Sequence, residues 1–221
     1  MRKVALVNQE IYHVISRSIA GYEIFNCPDD YSRFTNMIAF YKKALPYKYS
    51  IFQKLTNGMR SSVLDNHQDI NNPVAIIAYC LMPTHIHLVI KQKTNKGISK
   101  FMSDLLNSYS RYFNIKHKRK GPLWEGRFKS VHVNKDVQLL HLTRYIHLNP
   151  SSVGLVERPN EWLSSSYQAY IDPSECKSDI CDLDGSIAIQ PNEYEEFVND
   201  RIAFQRELSK IKKLILENYT G

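Results

Sequence analysis

The chain has 221 residues, 43% of them hydrophobic and 23% charged, the make-up of a globular protein able to bury an ordinary core in one large domain. No run approaches the roughly 18 to 20 apolar residues of a membrane helix, and the opening MRKVALVNQE turns polar too early for a signal peptide, so a cytoplasmic protein with no membrane partner is expected. The net charge of +7 is unevenly spread: RYFNIKHKRKG (111–121) gathers Arg111, Lys116, Lys118, Arg119 and Lys120 beside aromatics, whereas the segment from Asp172 to Glu196 is acidic.

EIYHVISRSI (10–19) alternates and is β-branched, which predicts a strand, and DDYSRFTNMIAFYKKAL (29–45) has an acidic start and helical spacing. YKYSIFQKL (47–55) reads as a second strand, followed by a polar loop, TNGMRSSVLDNHQDINN, ending at Pro73. VAIIAYCLM and HIHLVIKQ are two short strand runs broken at Pro83, either a hairpin or one kinked path. Residues 97–116 repeat Ile98, Phe101, Leu105, Tyr109, Tyr112 and Phe113 at three and four spacing, an amphipathic helix that Gly121 and Pro122 stop. LWEGRFKSVHV (123–133) returns to alternation, and KDVQLLHLTRYIHLN (135–149) predicts a helix stopped before Pro150. A short helical stretch near Trp162 to Tyr170, an acidic linker and a last helix over about 193–218 complete the chain. Strands interleaved with helices predict an α+β fold, an antiparallel sheet covered by helices on one face, with 1–171 as the main domain and 172–221 as linker and helical appendage.

Residues two apart on a strand point the same way, so His85 and His87 project together while Ile86, Leu88 and Ile90 face the core. Two neutral imidazoles make half of a divalent-metal site; without a partner they are equally two histidines on a sheet. A partner is offered by the helix at 135–149, where His141, Tyr145 and Asn149 recur every fourth residue beside the apolar stripe of Leu139, Leu142 and Ile146. A phenol has a pKa near 10 and attacks poorly at neutral pH, so Tyr145 would need a nearby cation. A divalent ion on His85 and His87 would supply it and would polarise a phosphodiester, with the Asn149 amide oxygen completing the coordination. The four cysteines, Cys27, Cys80, Cys176 and Cys181, form no CxxC pair, which leaves reduced thiols rather than a zinc knuckle or a disulfide framework. The H-x-E and P-C-x-x-C signature of the zinc deaminases is absent, as is the glycine-rich context of a P-loop or serine hydrolase.

YCLMPTHIHLVI, LNSYSRYFN, GPLWEGRFKSVHV and LTRYIHLNPSSVGLV occur in an order and spacing that resemble the REP-associated tyrosine transposases, relatives of the single-tyrosine HUH transposases of small insertion sequences. The similarity spans roughly residues 10 to 170, including YHVISR and WLSSSYQAY. The resemblance implies a ferredoxin-like antiparallel sheet, a pair His85 and His87 binding Mg²⁺ or Mn²⁺, Tyr145 as nucleophile and Asn149 as third ligand. It also implies cleavage of single-stranded DNA beside a hairpin or palindromic repeat, with a covalent 5′-phosphotyrosine and a free 3′ hydroxyl that can reverse the reaction to join strands. Arg111, Lys116, Lys118, Arg119 and Lys120 would hold phosphates, and Arg127 and Lys129, two apart on one strand, would add contacts. Tyr112, Phe113 or Trp124 would either stack on bases or fill the core. Thr84 replaces the asparagine frequent in relatives, which matters little to the ligand set, and SRSIAGYEIF departs from the usual glycine- and arginine-rich turn. A non-catalytic nucleic-acid-binding module and a replication or conjugation initiator stay open as alternatives, as do monomer and homodimer.

Overall fold

The computed structural model describes residues 5–66, 72–174, 180–183, 187 and 189–218, with the side chains of 212–218 set aside. Four strands, β1 (Ile11–Arg17), β2 (Val74–Met82), β3 (His85–Gln92) and β4 (Lys129–Val133), form one sheet in the order β2-β3-β1-β4, every neighbouring pair antiparallel. Helix α1 (Pro28–Lys42) joins β1 to β2 and α4 (Gly97–Lys116) joins β3 to β4, giving the βαββαβ order of a ferredoxin-like sheet. Of the two paths left open at Pro83 the chain takes the hairpin, and the amphipathic helix at 97–116 and the α+β class are both present.

Alternation along β3 splits the core in two. Ile86, Leu88 and Ile90 join α1 and α4 residues such as Phe34, Met37, Phe101 and Tyr109 on one face. Val89 joins Leu139 and Ile146 of α5 (Asp136–Ser152) on the other. Helices therefore lie on both faces, not one. β2 is buried at all nine positions because both layers cover it, which is why its sequence shows no polar alternation.

Three further expectations are corrected. Residues 47–55 are not a strand: Tyr49–Phe52 form a short helix, α2, held by the buried Tyr49 ring, which packs 5.3 Å from Phe40 under the Arg33 guanidinium. Tertiary contact overrides the local β preference there. The loop after it contains α3 (Asn57–Asp65), whose signal is Thr56, an N-cap accepting from the Met59 amide. Helix α5 runs through Pro150 to Ser152. A proline so close to the end forfeits one backbone bond, and Arg206 caps the segment by donating to the carbonyls of Ser151, Val156 and Glu157.

Beyond α6 (Tyr167–Ile171), the predicted final helix is two, α7 (Pro191–Asn199) and α8 (Ile202–Asn218), parted at Asp200–Arg201. Tyr194 and Val198 of α7 enter the same apolar cluster as Leu139 and Ile146. Cys27 and Cys80 are free thiols and Cys181 packs against the core, while Cys176 and part of the acidic segment lie outside the described residues.

Gly97 opens α4 where a Cβ would collide with the Pro73 carbonyl oxygen, itself held by the amides of Lys93 and Thr94. Gly→Ala within a helix ordinarily stabilises by about 1 kcal/mol. Here Gly97→Ala is expected to destabilise by about 1–3 kcal/mol, read as a lowered urea midpoint at unchanged slope.

Candidate active site

The site is built on the β2–β3 hairpin. Pro83 and Thr84 turn the chain, and the turn is anchored from outside by the Ile24 amide on the Pro83 carbonyl and the Ser18 amide on that of Thr84. β3 then projects His85 and His87 from the α5 face, their rings 5.0 Å apart and nearly perpendicular. Tyr145 reaches the same place from α5, its ring 6.1 Å from that of His87 and edge-on to it. The pair of histidines and the tyrosine therefore converge within one chain. Tyr145 is 36% exposed, so its hydroxyl borders solvent rather than the core.

Asn149 lies one turn further along α5, 9% exposed, and its Nδ2 is buried with no hydrogen-bond partner. An orphaned amide end facing a dry interior is unusual, since buried polar groups almost always find partners. Amide O and N are told apart only by their surroundings. A flip about the amide would place the oxygen in that position, where a cation would satisfy it.

Burial, and then the Arg17 charge, lower the His85 pKa to about 4. Burial, then His85, His13 and Arg17, hold His87 well below the usual imidazole value. Both rings are thus neutral at pH 7, the form that ligates metal. Each also has its Nδ1 engaged: His85 with the Thr84 hydroxyl at 3.0 Å, His87 with Nε2 of His13 at 2.9 Å. Among the described residues neither Nε2 has a hydrogen-bond partner. Two Nε2 atoms left without partners on one face could donate to a divalent cation and leave positions for water and phosphate oxygens. No three His, Cys, Asp or Glu side chains among the described residues are grouped as a metal site.

The strand register surrounds this set with charge. Arg17 of β1 lies directly across from His85, and Ile15 from His87; Lys129 of β4 lies across from Ile15. Cross-strand partners share a face, so Lys129 stands two strands, about 10 Å, from His87 on the same side. Ile15 is partly exposed, and Arg17, Lys129 and Val131 are exposed, leaving this half of the sheet open beside the tyrosine.

The other basic residues are dispersed. Arg127 precedes β4 rather than sharing it with Lys129, and lines a cavity with Met102, Leu106, Trp124 and Phe128. Lys116 is bound 2.6 Å from the buried Asp30 carboxylate. Arg119 donates to the Asn114 side chain and the Pro122 carbonyl. Arg111, Lys118 and Lys120 are exposed. Phe113 and Trp124 fill the core, and Tyr112 donates its hydroxyl to Asp30.

His141 and His147 serve α5 itself. His141 meets Phe197 and the Arg144 guanidinium. His147 is fully buried and kept neutral by that burial, its pKa lowered to about 3. Its two nitrogens meet the Tyr194 and Ser166 hydroxyls, each at 2.7 Å.

The family profile described as transposase IS200 like matches residues 44–149, a span that holds His85, His87, Tyr145 and Asn149. The match takes in just under half of the chain's 221 residues. A Haemophilus influenzae protein named as a REP-associated tyrosine transposase is 28% identical over 105 residues, and the chain spans 60% of that relative's length with 43% of its own. A solved structure of a REP-associated tyrosine transposase bound to a REP hairpin overlays with a TM-score of 0.56 at 14% identity, over 86% of this chain and 98% of its own, and shows the shared fold. Residues 11–17, hence His13 and Arg17, fall outside the matched transposase span.

The structure brings His85, His87 and Tyr145 of the sequence reading together; His13, which meets His87, was not singled out there, although it stands in the YHV of the first strand. It also gave Thr84 no part, whereas the Thr84 hydroxyl meets a ring nitrogen of His85.

Proposed function

We propose that this chain is a transposase that nicks and rejoins single-stranded DNA through a covalent 5′-phosphotyrosine on Tyr145, at a hairpin or palindromic repeat. The observation that carries the proposal is the approach of the Tyr145 ring to His87 beside His85, on an open basic face. The REP hairpin bound by the relative of shared fold supports the choice of DNA.

In this reading His85 and His87, with Asn149, hold Mg²⁺ or Mn²⁺. An ion held there would supply Lewis-acid polarisation of a phosphate and offset negative charge. Arg17 and Lys129 steer the DNA backbone across the open half of the sheet. The Tyr145 oxygen attacks phosphorus in line, the Oη–P bond forms as the P–O3′ bond breaks, the phenolic proton passes to solvent and the departing 3′ oxygen takes up a proton. One phosphoester replaces another, so the step is reversible without an external energy source, and a 3′ hydroxyl attacking the phosphotyrosine reseals a strand.

The test incubates the full chain with Mg²⁺ or Mn²⁺ and a pool of single-stranded hairpin oligonucleotides with randomised flanks. The expected result is a denaturation-resistant protein–DNA adduct that chelator abolishes. Salt-sensitive binding with no adduct, unchanged by alanine at His85 and His87, would instead identify a binding module.

A further inference from the structure

We infer that His13, from the central strand and outside the family-matched span, is a positioning residue that fixes His87 in its metal-binding tautomer. The inference rests on the metal-site reading above. One contact carries it: His13 Nε2 stands 2.9 Å from His87 Nδ1, with the rings 5.2 Å apart and 20° from parallel.

A neutral imidazole carries one proton, and two neutral rings joined nitrogen to nitrogen can share a hydrogen bond in only two ways. When His87 Nδ1–H donates to the His13 Nε2 lone pair, His87 keeps a free lone pair on Nε2, the nitrogen it can turn to an ion. When His13 donates instead, the His87 proton sits on Nε2 and the ligand is lost. The surroundings favour the first arrangement. A ligating histidine commonly donates its other N–H to an acceptor that fixes its orientation, and His85 has such a partner in the Thr84 hydroxyl. His13 is the corresponding acceptor for His87.

The sheet makes the contact rigid. His13 pairs with Val89 and His87 with Ile15, so the two imidazoles are diagonal neighbours on one face and their meeting is set by the β1–β3 register. His13 is 8% exposed and His87 3%, too dry for water to substitute freely as acceptor. Any slip of β1 by one residue would turn His13 to the opposite face. The central strand thus has a task at the site as well as in the core.

The test uses the full chain, metal alone and two variants. His13→Phe keeps a flat ring and removes the acceptor; His13→Gln supplies an amide oxygen in its place. Mn²⁺ affinity is read from the free-ion EPR signal, and the His87 tautomer from long-range ¹⁵N correlations in metal-free protein. His13→Phe is expected to weaken Mn²⁺ about 10- to 100-fold, with His13→Gln recovering most of that loss, and wild-type His87 protonated on Nδ1. Wild-type affinity in His13→Phe, equal loss in both variants, or an Nε2-protonated His87 would overturn the inference. Alanine at His85 and at His87 separates the failures. If those variants lose Mn²⁺ and His13→Phe does not, only the role of His13 falls; if they too bind Mn²⁺ normally, the metal site falls with it.

Discussion

Tyr145→Phe is expected to abolish the covalent adduct, lowering its yield by at least about 10³-fold as removal of an enzymatic nucleophile does, while leaving the melting temperature and DNA affinity unchanged. The separation of effects follows from where the side chain sits. It is 36% exposed, and among the described residues its hydroxyl makes no hydrogen bond, so removing one oxygen neither opens a cavity nor strands a polar partner. The ring, which meets His87 edge-on, is retained. The check is a denaturing gel of protein with labelled hairpin oligonucleotide, paired with a thermal melt and a binding titration. An adduct that persists would move the nucleophile elsewhere; a large fall in melting temperature would show that the hydroxyl serves the fold.

The second large effect concerns stability and sits at the opposite face of the sheet. Asp30 is fully buried, and its carboxylate accepts from Lys116, the Asn26 amide and the Tyr112 hydroxyl. Burial alone would raise its pKa, but the hydrogen bonds from Lys116, Asn26 and Tyr112 prevail and hold it below the usual carboxylate value. Lys116→Met removes the only full positive charge bonded to that carboxylate among the described residues. The expected cost is about 2–3 kcal/mol, below the range for a wholly sealed pair because three neutral donors, the Asn26 amide, the Tyr112 hydroxyl and the Cys27 thiol, remain. That corresponds to roughly 4–12 °C in melting temperature for a chain of this size.

The pH dependence has a definite sign. A carboxylate whose folded pKa is depressed contributes stability that is present above its ordinary value near 4 and is lost as pH falls through the lowered folded value. Wild type and Lys116→Met should therefore converge in stability under acid and diverge above about pH 4. DNA binding supplies the contrast. A lysine committed to Asp30 releases few counterions, so the salt slope of binding should change little in Lys116→Met and fall by about one in Lys129→Ala. A salt slope that drops in the former without any loss of stability would return Lys116 to the DNA.

Much of the site was legible in the sequence because the relevant periods are short. HIH needs only the two-residue repeat of a strand to place both rings together, and the spacing from Tyr145 to Asn149 is one turn of helix. What joined the two elements was the apolar side of α5, readable as Leu139, Leu142 and Ile146. His13 was not legible in this way. Its partner lies 74 residues away and is diagonal rather than opposite, so the pairing depends on strand order and register together. The Lys116–Asp30 pair was not legible for the same reason: nothing in RYFNIKHKRKG indicates a carboxylate 86 residues earlier. The missed helices have different causes. Thr56 was an unused local capping signal, whereas α2 owes its shape to Phe40 and Arg33 and carries no comparable mark of its own.

The buried imidazole of His147 gives the tail a consequence for chemistry at a distance. One ring knots the tyrosine-bearing helix to hydroxyls 19 and 47 residues downstream, while Arg144 grips Phe197 from the same helix at 3.9 Å. Rotation of that helix about its own axis would tear both fastenings. The aim of the phenol is thus governed by a strap near the far end of the chain, and a fragment trimmed to the profile-matched span would keep His85, His87 and Tyr145 yet lose the brace that points one at the others.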